Sequence, residues 1–264
     1  MSALRKRARQ RAQAREREDW KKRGRAYALS WREADGGSLG QADNPLRALF
    51  NARTAGRGIW KWDHYFDVYH RHFERFRGGD VHVLEIGIYS GGSLEMWHDY
   101  FGPHCRVYGV DVEEACRRYE SDATTIFIGD QADRAFWRRF RSAVPTLDVV
   151  IDDGGHQTNE QATTLEELLP HLRAGGIYVV EDHHGVGNHF AAYVSGLVDA
   201  LNSYAGIADH VNPERRKVSE AAGFQAAIES IHAYPFLTVV EKRRDTIGEF
   251  VAPKHGTEWE PFLG

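Results

Sequence analysis

Short apolar runs that alternate with stretches of helical spacing make up most of the sequence after residue 80. The runs are rich in β-branched residues and end in polar residues or glycine, which is typical of strands buried on both faces of a sheet. Strands and helices that alternate with short connections predict a parallel sheet with right-handed crossovers. The five runs cover residues 81–86, 106–110, 125–128, 147–151 and 177–180.

Apolar residues at three- and four-residue spacing predict helices that follow or separate these strands. Helices are predicted over residues 136–144, 165–172 and 190–201. Gly175 and Gly176 follow the second of these helices and are expected to stop it, because glycine is common just after a helix end.

The segment over residues 60–76 is rich in aromatic residues at mixed three- and four-residue spacings, and it predicts a further amphipathic helix. Its rings have two interpretations: they pack in the core, or some of them line the mouth of a substrate site. Residues 226–232 and 236–241 predict two more strands.

The composition is that of a soluble globular protein, with 42% hydrophobic and 27% charged residues among 264. No run of eighteen apolar residues occurs, so no segment is expected to span a membrane. The two cysteines, Cys105 and Cys116, occur without a signal-peptide pattern, which favours a reducing, cytoplasmic compartment and no disulfide bonds.

Positive charge is concentrated near the start of the chain. Residues 1–26 contain eleven lysines and arginines and three acidic residues, although the net charge of the whole chain is −4. The remainder is therefore acidic, which argues against a nucleic-acid-binding surface on the folded part. The arm has three interpretations: a solvated or partly helical tail, a helix that mediates oligomerisation or covers substrate, and a tether to nucleic acid or a membrane.

Residues 34–45 combine glycine, aspartate, asparagine and proline with few apolar residues, which predicts a linker. We therefore expect a basic N-terminal arm and linker over residues 1–44 and a single folded domain over residues 45–264.

The first predicted strand is followed by a glycine-rich turn. Gly87, Gly91 and Gly92 allow the backbone to turn tightly and to approach a ligand closely. Their spacing differs from the Gly-x-Gly-x-x-Gly fingerprint of dinucleotide-binding enzymes, which argues against a nicotinamide cofactor. Ligands of an open parallel sheet bind beyond the carboxyl ends of its strands, so the turn is a candidate ligand site.

Aspartates follow the second and third predicted strands. Asp111 can accept hydrogen bonds from both hydroxyls of a ribose, and Asp130 can accept one from an adenine amino group. Either aspartate alone could equally cap the helix that follows it. Together with the glycine turn, the two favour an adenosine-containing ligand.

Carboxylates and histidines follow the fourth and fifth predicted strands, which should be neighbours. Crowded carboxylates repel one another and either take up protons or bind a cation, and oxygen ligands suit a hard divalent ion such as Mg²⁺. His156 could serve as a general base beside that ion. Two other interpretations stay open: helix caps with solvated loop ends, and an iron site of two histidines and one carboxylate. The cluster comprises Asp152, Asp153, His156, Glu181, Asp182, His183 and His184.

These motifs, taken together over roughly residues 60–245, resemble a known family. They are similar to the metal-dependent class I S-adenosylmethionine methyltransferases that O-methylate sugars on natural products, typified by the mycinamicin and macrocin O-methyltransferases. The resemblance implies an α/β fold of the Rossmann-like class I methyltransferase type, with a mostly parallel seven-stranded sheet and helices on both faces. The matching motifs are Glu85-x-Gly87-x-x-x-Gly91-Gly92-Ser93-Leu94, Gly109-Val110-Asp111, Asp152-Asp153-Gly-Gly-His156 and Glu181-Asp182.

The resemblance also implies a role for each candidate site residue. Mg²⁺ would be bound by Asp153, Glu181 and Asp182, and His156 would be the catalytic base. The residues implied in binding S-adenosylmethionine are Glu85, Gly87, Tyr89, Ser90, Gly91, Ser93, Asp111, Asp130, Gln131 and Asp152.

The resulting expectation is a Mg²⁺-dependent O-methyltransferase that acts on a hydroxyl of a small molecule, with a sugar of a glycosylated natural product as the expected acceptor. A catechol or another phenol is the alternative acceptor, because two adjacent oxygens chelate Mg²⁺ equally well. An iron-dependent hydroxylase and a non-catalytic S-adenosylmethionine-binding protein are alternatives of other classes. Family members are often homo-oligomers, so a homo-oligomer is expected that binds neither nucleic acid nor a membrane.

Overall fold

The chain divides between Asp43 and Asn44 into two units. The computed structural model describes residues 3–31, 43–185, 187–202, 210–211, 216–253 and 255–257. Helix α1 (Ala3–Ser30) contains most of the basic arm and lies in the first unit. The predicted linker over residues 34–45 lies outside the described residues except at its end.

The second unit contains the other helices and all the strands of the described residues. The helices are α2 (Pro45–Ala52), α3 (Tyr65–Phe73), α4 (Gly92–Phe101), α5 (Arg134–Ala143), α6 (Thr158–Leu168), α7 (Phe190–Leu201) and α8 (Gly223–Ala227). The strands are β1 (His82–Ile86), β2 (Arg106–Asp111), β3 (Thr124–Ile128), β4 (Leu147–Asp152), β5 (Leu172–Val180), β6 (His210–Val211), β7 (Arg216–Glu220), β8 (Ile228–Tyr234), β9 (Leu237–Lys242) and β10 (Glu249–Pro253).

Seven of these strands form one sheet in the order β3-β2-β1-β4-β5-β9-β8. The pairs from β3 to β5 are parallel, whereas β9 runs antiparallel to both of its neighbours. The strand order reverses between β1 and β4, which opens a crevice at the carboxyl ends of the strands. The sheet confirms the predicted mostly parallel, seven-stranded α/β fold, including the two strands predicted last.

Apolar side chains cover both faces of this sheet. One core contains the rings of Tyr69, Phe73 and Trp97 from α3 and α4. The other core contains Trp137 and Leu168 from α5 and α6. Helices therefore pack on both faces, and the loops that join them to the carboxyl ends of the strands are free to build a site.

The aromatic segment over residues 60–76 is not one helix, and this prediction was wrong. Helix α3 covers only Tyr65–Phe73, and the next three residues form a 3-10 turn. Trp60 and Trp62 lie in the preceding loop, with 88% and 46% of their surface exposed. The rings of α3 therefore pack in the core, whereas those of the loop are exposed, and their place at a substrate mouth stays a prediction.

The predicted helix over residues 165–172 ends earlier than expected. Helix α6 stops at Leu168, and Leu172 already begins β5. Gly175, expected to stop the helix, lies inside β5 with φ of 76°. The register between β4 and β5 shifts near Leu147, so the glycines serve an irregular strand rather than a helix end.

A second, three-stranded sheet in the order β10-β7-β6 was not predicted. Its strands pair antiparallel. None of the described helices has the length and apolar character needed to cross a bilayer. Cys105 and Cys116 are both buried free thiols.

Candidate active site

A cavity of about 1040 Å³ opens at the carboxyl ends of β1 to β5. This is the place, next to the reversal of strand order, where open α/β sheets bind ligands. Among the predicted site residues, Glu85, Gly91 and Asp152 do not line the cavity. Those that line it are Gly87, Tyr89, Ser90, Ser93, Asp111, Asp130, Gln131, Asp153, His156, Glu181 and Asp182.

The turn after β1 needs glycine at two positions. Gly87 has φ of 86°, and a Cβ there would lie 2.0 Å from the carbonyl oxygen of Asp153. Gly91 has φ of 73° and precedes α4, and a Cβ there would lie 2.9 Å from the ring of Tyr119. Since side chains disfavour this left-handed backbone, glycine allows the turn to run along the cavity wall.

Asp111 holds this turn in place through the backbone. Its Oδ2 accepts hydrogen bonds from the N–H groups of Ile88, at 2.8 Å, and Tyr89, at 3.2 Å. Asp130 accepts one from the backbone two residues further on, at 2.7 Å. Both aspartates thus fix local turns and also line the cavity. Residues 87–93, Asp111 and Asp130 are called the glycine-turn half of the cavity below.

Two predicted cofactor residues support the loop after β4 from behind. The Gln131 side chain donates to Oδ1 of Asp152 at 3.1 Å and accepts from the N–H of Gly155 at 2.7 Å. Burial raises the pKa of Asp152 to about 7. Glu85, also buried, accepts a hydrogen bond from Ser93 at 2.6 Å. One oxygen of Asp152 and one of Glu85 therefore have hydrogen-bond donors within the protein, whereas Oδ2 of Asp152 and Oε1 of Glu85 have none among the described residues.

Asp153, His156, Glu181 and Asp182 form the acidic half of the cavity. The Nε2 of His156 lies 3.8 Å from Oδ1 of Asp153 and 4.0 Å from Oδ2 of Asp182. Ligand atoms of these three residues lie within 4.8 Å of one another, which fits a cation between them. Glu181 is buried beside them, so β4 and β5 bring together the four residues predicted for the metal and the base.

A buried lysine that the sequence reasoning missed lies against the acidic half. The Lys61 side chain is only 2% exposed. Its ammonium donates to Oδ2 of Asp153 at 2.6 Å and to Oε1 of Glu181 at 3.0 Å, and it lies 3.3 Å from Oε1 of Glu85. One cation of the chain thus stands among three carboxylates.

Burial and the neighbouring charges shift the pKa of Lys61 in opposite directions. Burial alone would lower the pKa of Lys61, but the charges of Asp153, Glu181 and Glu85 outweigh it, so the pKa is raised well above its ordinary value. Burial and the charge of Asp153 raise the pKa of Glu181. The carboxylates are crowded enough to attract a cation, and Lys61 supplies part of that charge.

Aromatic rings surround the opening beside Asp182. Trp60 is almost fully exposed, and Trp62 donates its indole N–H to Oδ1 of Asp182 at 3.0 Å. The Trp62 and Phe236 ring centroids are 5.4 Å apart, and Phe236 lies 4.7 Å from the ring of His184. The rings of Trp60, Trp62, His184 and Phe236 are called the aromatic mouth below. They offer flat surfaces next to the acidic half.

The histidines do not assemble into the alternative iron site. The ring of His183 is hydrogen-bonded to Thr238 at 2.9 Å, and His184 belongs to the aromatic mouth. In the part of the chain that the structure describes, His156 is the one histidine grouped with the aspartates. The geometry therefore gives no support to a pair of histidine ligands here.

A second group of possible metal ligands, His72, His232 and Glu241, lies near α3 and the β8–β9 pair. Its groups already have protein partners: Glu241 accepts from Arg75 at 2.5 Å, and His72 is bonded to Tyr234 at 3.0 Å. We assign no ligand to it.

Comparison with known proteins agrees with this geometry. Residues 84–183, which run from β1 to just past β5, match the family model described as a methyltransferase domain. The chain carries a methyltransferase domain. It is 35% identical over 214 residues to 8-demethyl-8-(2-methoxy-alpha-L-rhamnosyl)-tetracenomycin-C 3'-O-methyltransferase of Streptomyces olivaceus, covering 75% of this chain and 54% of that protein.

Further similarities point to the same family. L-olivosyl-oleandolide 3-O-methyltransferase of Streptomyces antibioticus is 33% identical over 77% of this chain and 55% of its own length. The structure of MycE methyltransferase from the mycinamycin pathway, in complex with Mg and SAH, is 28% identical with a TM-score of 0.60, covering 76% of this chain and 54% of that one. The resemblance to natural-product sugar O-methyltransferases, and the class I fold it implied, are confirmed.

The chain spans about half the length of the curated relatives that it matches. The similarity covers the methyltransferase domain, in which both halves of the cavity lie.

Sequence reasoning missed several residues that contact the carboxylates of the methyltransferase domain. Lys61 carried no signal of its own, because its partners Asp153 and Glu181 are 92 and 120 residues away in the sequence. Tyr65 donates to Asp182 at 2.7 Å, and Tyr69 donates to Glu181. The aromatic spacing over residues 60–76 could have pointed to these tyrosines, since both lie on one helix that faces the sheet.

Proposed function

We propose that the chain is a Mg²⁺-dependent O-methyltransferase that transfers a methyl group from S-adenosylmethionine to a sugar hydroxyl of a glycosylated natural product. The convergence of the glycine-turn half and the acidic half on one cavity carries this proposal. The names of the relatives support it, since several are O-methyltransferases of sugar-bearing natural products.

In this proposal the glycine-turn half holds S-adenosylmethionine, whose bound sulfonium would supply an electrophilic methyl group. Asp111 accepts hydrogen bonds from the ribose hydroxyls with the oxygen lone pairs that the N–H groups of the turn do not use. Asp130 faces the adenine. Gly87, Tyr89, Ser90, Gly91 and Ser93 shape or line the wall along the cofactor. Glu85, Gln131 and Asp152 act as positioning residues, because their side chains hydrogen-bond to Ser93, to one another and to the loop after β4.

The acidic half holds the divalent cation through Asp153, Glu181 and Asp182, a set of hard oxygen donors that suits Mg²⁺. The bound cation would supply Lewis-acid polarisation of the acceptor hydroxyl, whose pKa otherwise lies far above 7. Trp62 and Tyr65 donate to Oδ1 of Asp182, and these hydrogen bonds orient the carboxylate towards the cavity.

His156 is the proposed catalytic base. Its Nε2 accepts the proton of the acceptor hydroxyl, and the neighbouring carboxylates of Asp153 and Asp182 stabilise the imidazolium that forms. The backbone of His156 has φ of 56°, a strained value for a non-glycine residue, and such strain is often found at functional sites.

The aromatic mouth positions the acceptor. Flat rings of Trp60, Trp62 and Phe236 next to the carboxylates suit the apolar face of a sugar ring, whose hydroxyls would then point to the acidic half. A catechol would meet the same surfaces, so the acceptor class is decided by experiment.

The test is methyl transfer from radiolabelled S-adenosylmethionine to three acceptor sets: glycosylated polyketides, their aglycones and catechols, each with Mg²⁺ and with chelator. Labelled glycosylated product, formed with Mg²⁺ and abolished by chelator, is expected. Labelling of catechols alone would replace the sugar acceptor. No labelling of any set, despite tight binding of S-adenosylhomocysteine, would favour a non-catalytic protein.

Several finer points remain predictions: assembly into a homo-oligomer, location in the cytoplasm, the lack of binding to nucleic acid, and the domain limits at residues 1–44 and 45–264.

A further inference from the structure

Lys61 is a charged residue of the cavity wall to which the proposed chemistry gives no role. It lies in the loop before α3, its side chain is 2% exposed, and it contacts Asp153, Glu181 and Glu85. A buried ammonium is tolerated only when close partners offset its loss of hydration. Its place among these carboxylates is therefore a built feature of the site.

Two of the three partners of Lys61 are also proposed ligands of the cation. The ammonium donates to one oxygen of Asp153 and to one oxygen of Glu181. A lysine ammonium is a compact point charge, so it binds the same carboxylate oxygens that a small metal ion would bind. Two positive ions on the same carboxylates also repel each other strongly in a partly buried site.

We propose that Lys61 is an internal competitor of the divalent cation: its ammonium balances the acidic half before the cation binds, and it weakens the affinity for that cation. The inference rests on the cation site of the proposed function. In this proposal Lys61 sets how tightly the acidic half holds the metal.

The number of carboxylates around Lys61 supports this proposal. Glu85, Asp153, Glu181 and Asp182 carry four negative charges when ionised, and Glu85 and Glu181 are fully buried. Without Lys61 the site would hold these charges with no positive group of the chain bonded to Glu181 or Asp153 among the residues described. A buried carboxylate that loses its partner is strongly destabilising, so the variant should depend on the metal to stay folded.

The experiment compares Mn²⁺ binding to the whole chain and to its Lys61→Met variant, followed by the electron paramagnetic resonance signal of free Mn²⁺. Lys242→Met is the matched control, because it removes the same charge from a lysine that donates to the backbone carbonyls of Leu172 and Pro170. Thermal unfolding is recorded for each protein with and without Mn²⁺.

The expected result is a dissociation constant for Mn²⁺ at least about tenfold lower in Lys61→Met, with no change in Lys242→Met. The variant should unfold at a lower temperature than the wild type without Mn²⁺ and gain more from its addition. An affinity that is equal or weaker in Lys61→Met overturns the proposal.

Three further outcomes are distinguished, and the first of them separates failure of the proposal from failure of the function on which it rests. If neither protein binds Mn²⁺, the proposed cation site itself is wrong. If Lys61→Met does not fold without the metal, recovery of the fold in Mn²⁺ supports the proposal. If it does not fold at all, Lys61→Gln replaces it, since a neutral amide can still donate to Asp153, and an unchanged Mn²⁺ affinity in that variant overturns the proposal.

Discussion

The two halves of the cavity are built by different means. In the glycine-turn half, backbone geometry makes the wall, and Asp111 fixes it through hydrogen bonds to N–H groups of the turn. In the acidic half, buried charged side chains make the wall, and Lys61 balances them from a distant part of the chain. The glycine-turn half therefore depends on local sequence, whereas the acidic half depends on charges that are distant in the sequence.

The largest effect is expected in the acidic half. His156→Ala should lower the rate of methyl transfer by about 10²–10⁴-fold, because it removes the base, and should leave binding of S-adenosylhomocysteine unchanged. Single-turnover assays and calorimetry measure the two. His104→Ala, in an exposed turn before the amino end of β2, is the control. Wild-type turnover in His156→Ala would show that His156 is not the catalytic base.

The second-largest expected effect tests whether backbone geometry builds the glycine-turn half. Gly87→Ala should lower the free energy of unfolding by at least about 3 kcal/mol, because it adds a backbone clash to the cost of a left-handed alanine. Gly78→Ala shares the positive φ but meets open space, so it should cost only about 1 kcal/mol. Denaturant unfolding measures both, and equal losses would show that the close approach to Asp153 is unimportant.

A smaller effect tests whether the halves act independently. Asp111→Asn should weaken binding of S-adenosylhomocysteine about tenfold, since it removes charge from an acceptor of two backbone N–H groups. Its affinity for Mn²⁺ should stay that of the wild type. Calorimetry measures both ligands, with Asp99→Asn on the exposed face of α4 as the control. A joint loss of both affinities would contradict the division into halves.

The smallest effect uses Cys116, which lies in the wall of the glycine-turn half. Burial and then the charge of Asp111 raise the pKa of Cys116 to about 11, so only about one thiol in a thousand is ionised at pH 8. Alkylation by iodoacetamide should rise about tenfold for each pH unit up to pH 10 and slow when S-adenosylhomocysteine binds.

Cys116→Ser provides the background, because Cys105 is then the remaining thiol and burial raises the pKa of Cys105 as well. Fast alkylation at pH 7 that the ligand does not slow would mean that this side of the cavity is more open than described.

Features fixed by neighbouring residues could be predicted from the sequence. The glycine turn, Asp111, Asp130 and the residues after β4 and β5 follow directly from apolar strands that end in polar residues, and parallel strands place those ends together. The sheet was predicted for the same reason, because β-branched runs identify buried strands on their own.

Features that depend on distant contacts could not be predicted. Lys61 resembles any surface lysine until the fold brings it to Glu181, and Trp62 lies in the loop before α3, where its indole N–H donates to Asp182. Gly175 has the sequence context of a helix stop, but it lies inside β5, between residues of that strand that pair with β4. In the second sheet, β6 has two residues and Arg216–Glu220 has one apolar residue, so neither gives the pattern of a buried strand.

The most direct test of the proposed site is diffraction from crystals grown with S-adenosylhomocysteine and Mn²⁺, with anomalous data that locate the metal. We expect the cofactor product along the glycine-turn half, with its ribose at Asp111, and one Mn²⁺ bound by Asp153, Glu181 and Asp182 beside His156. Cofactor density outside the cavity, or Mn²⁺ bound away from these carboxylates, would contradict it.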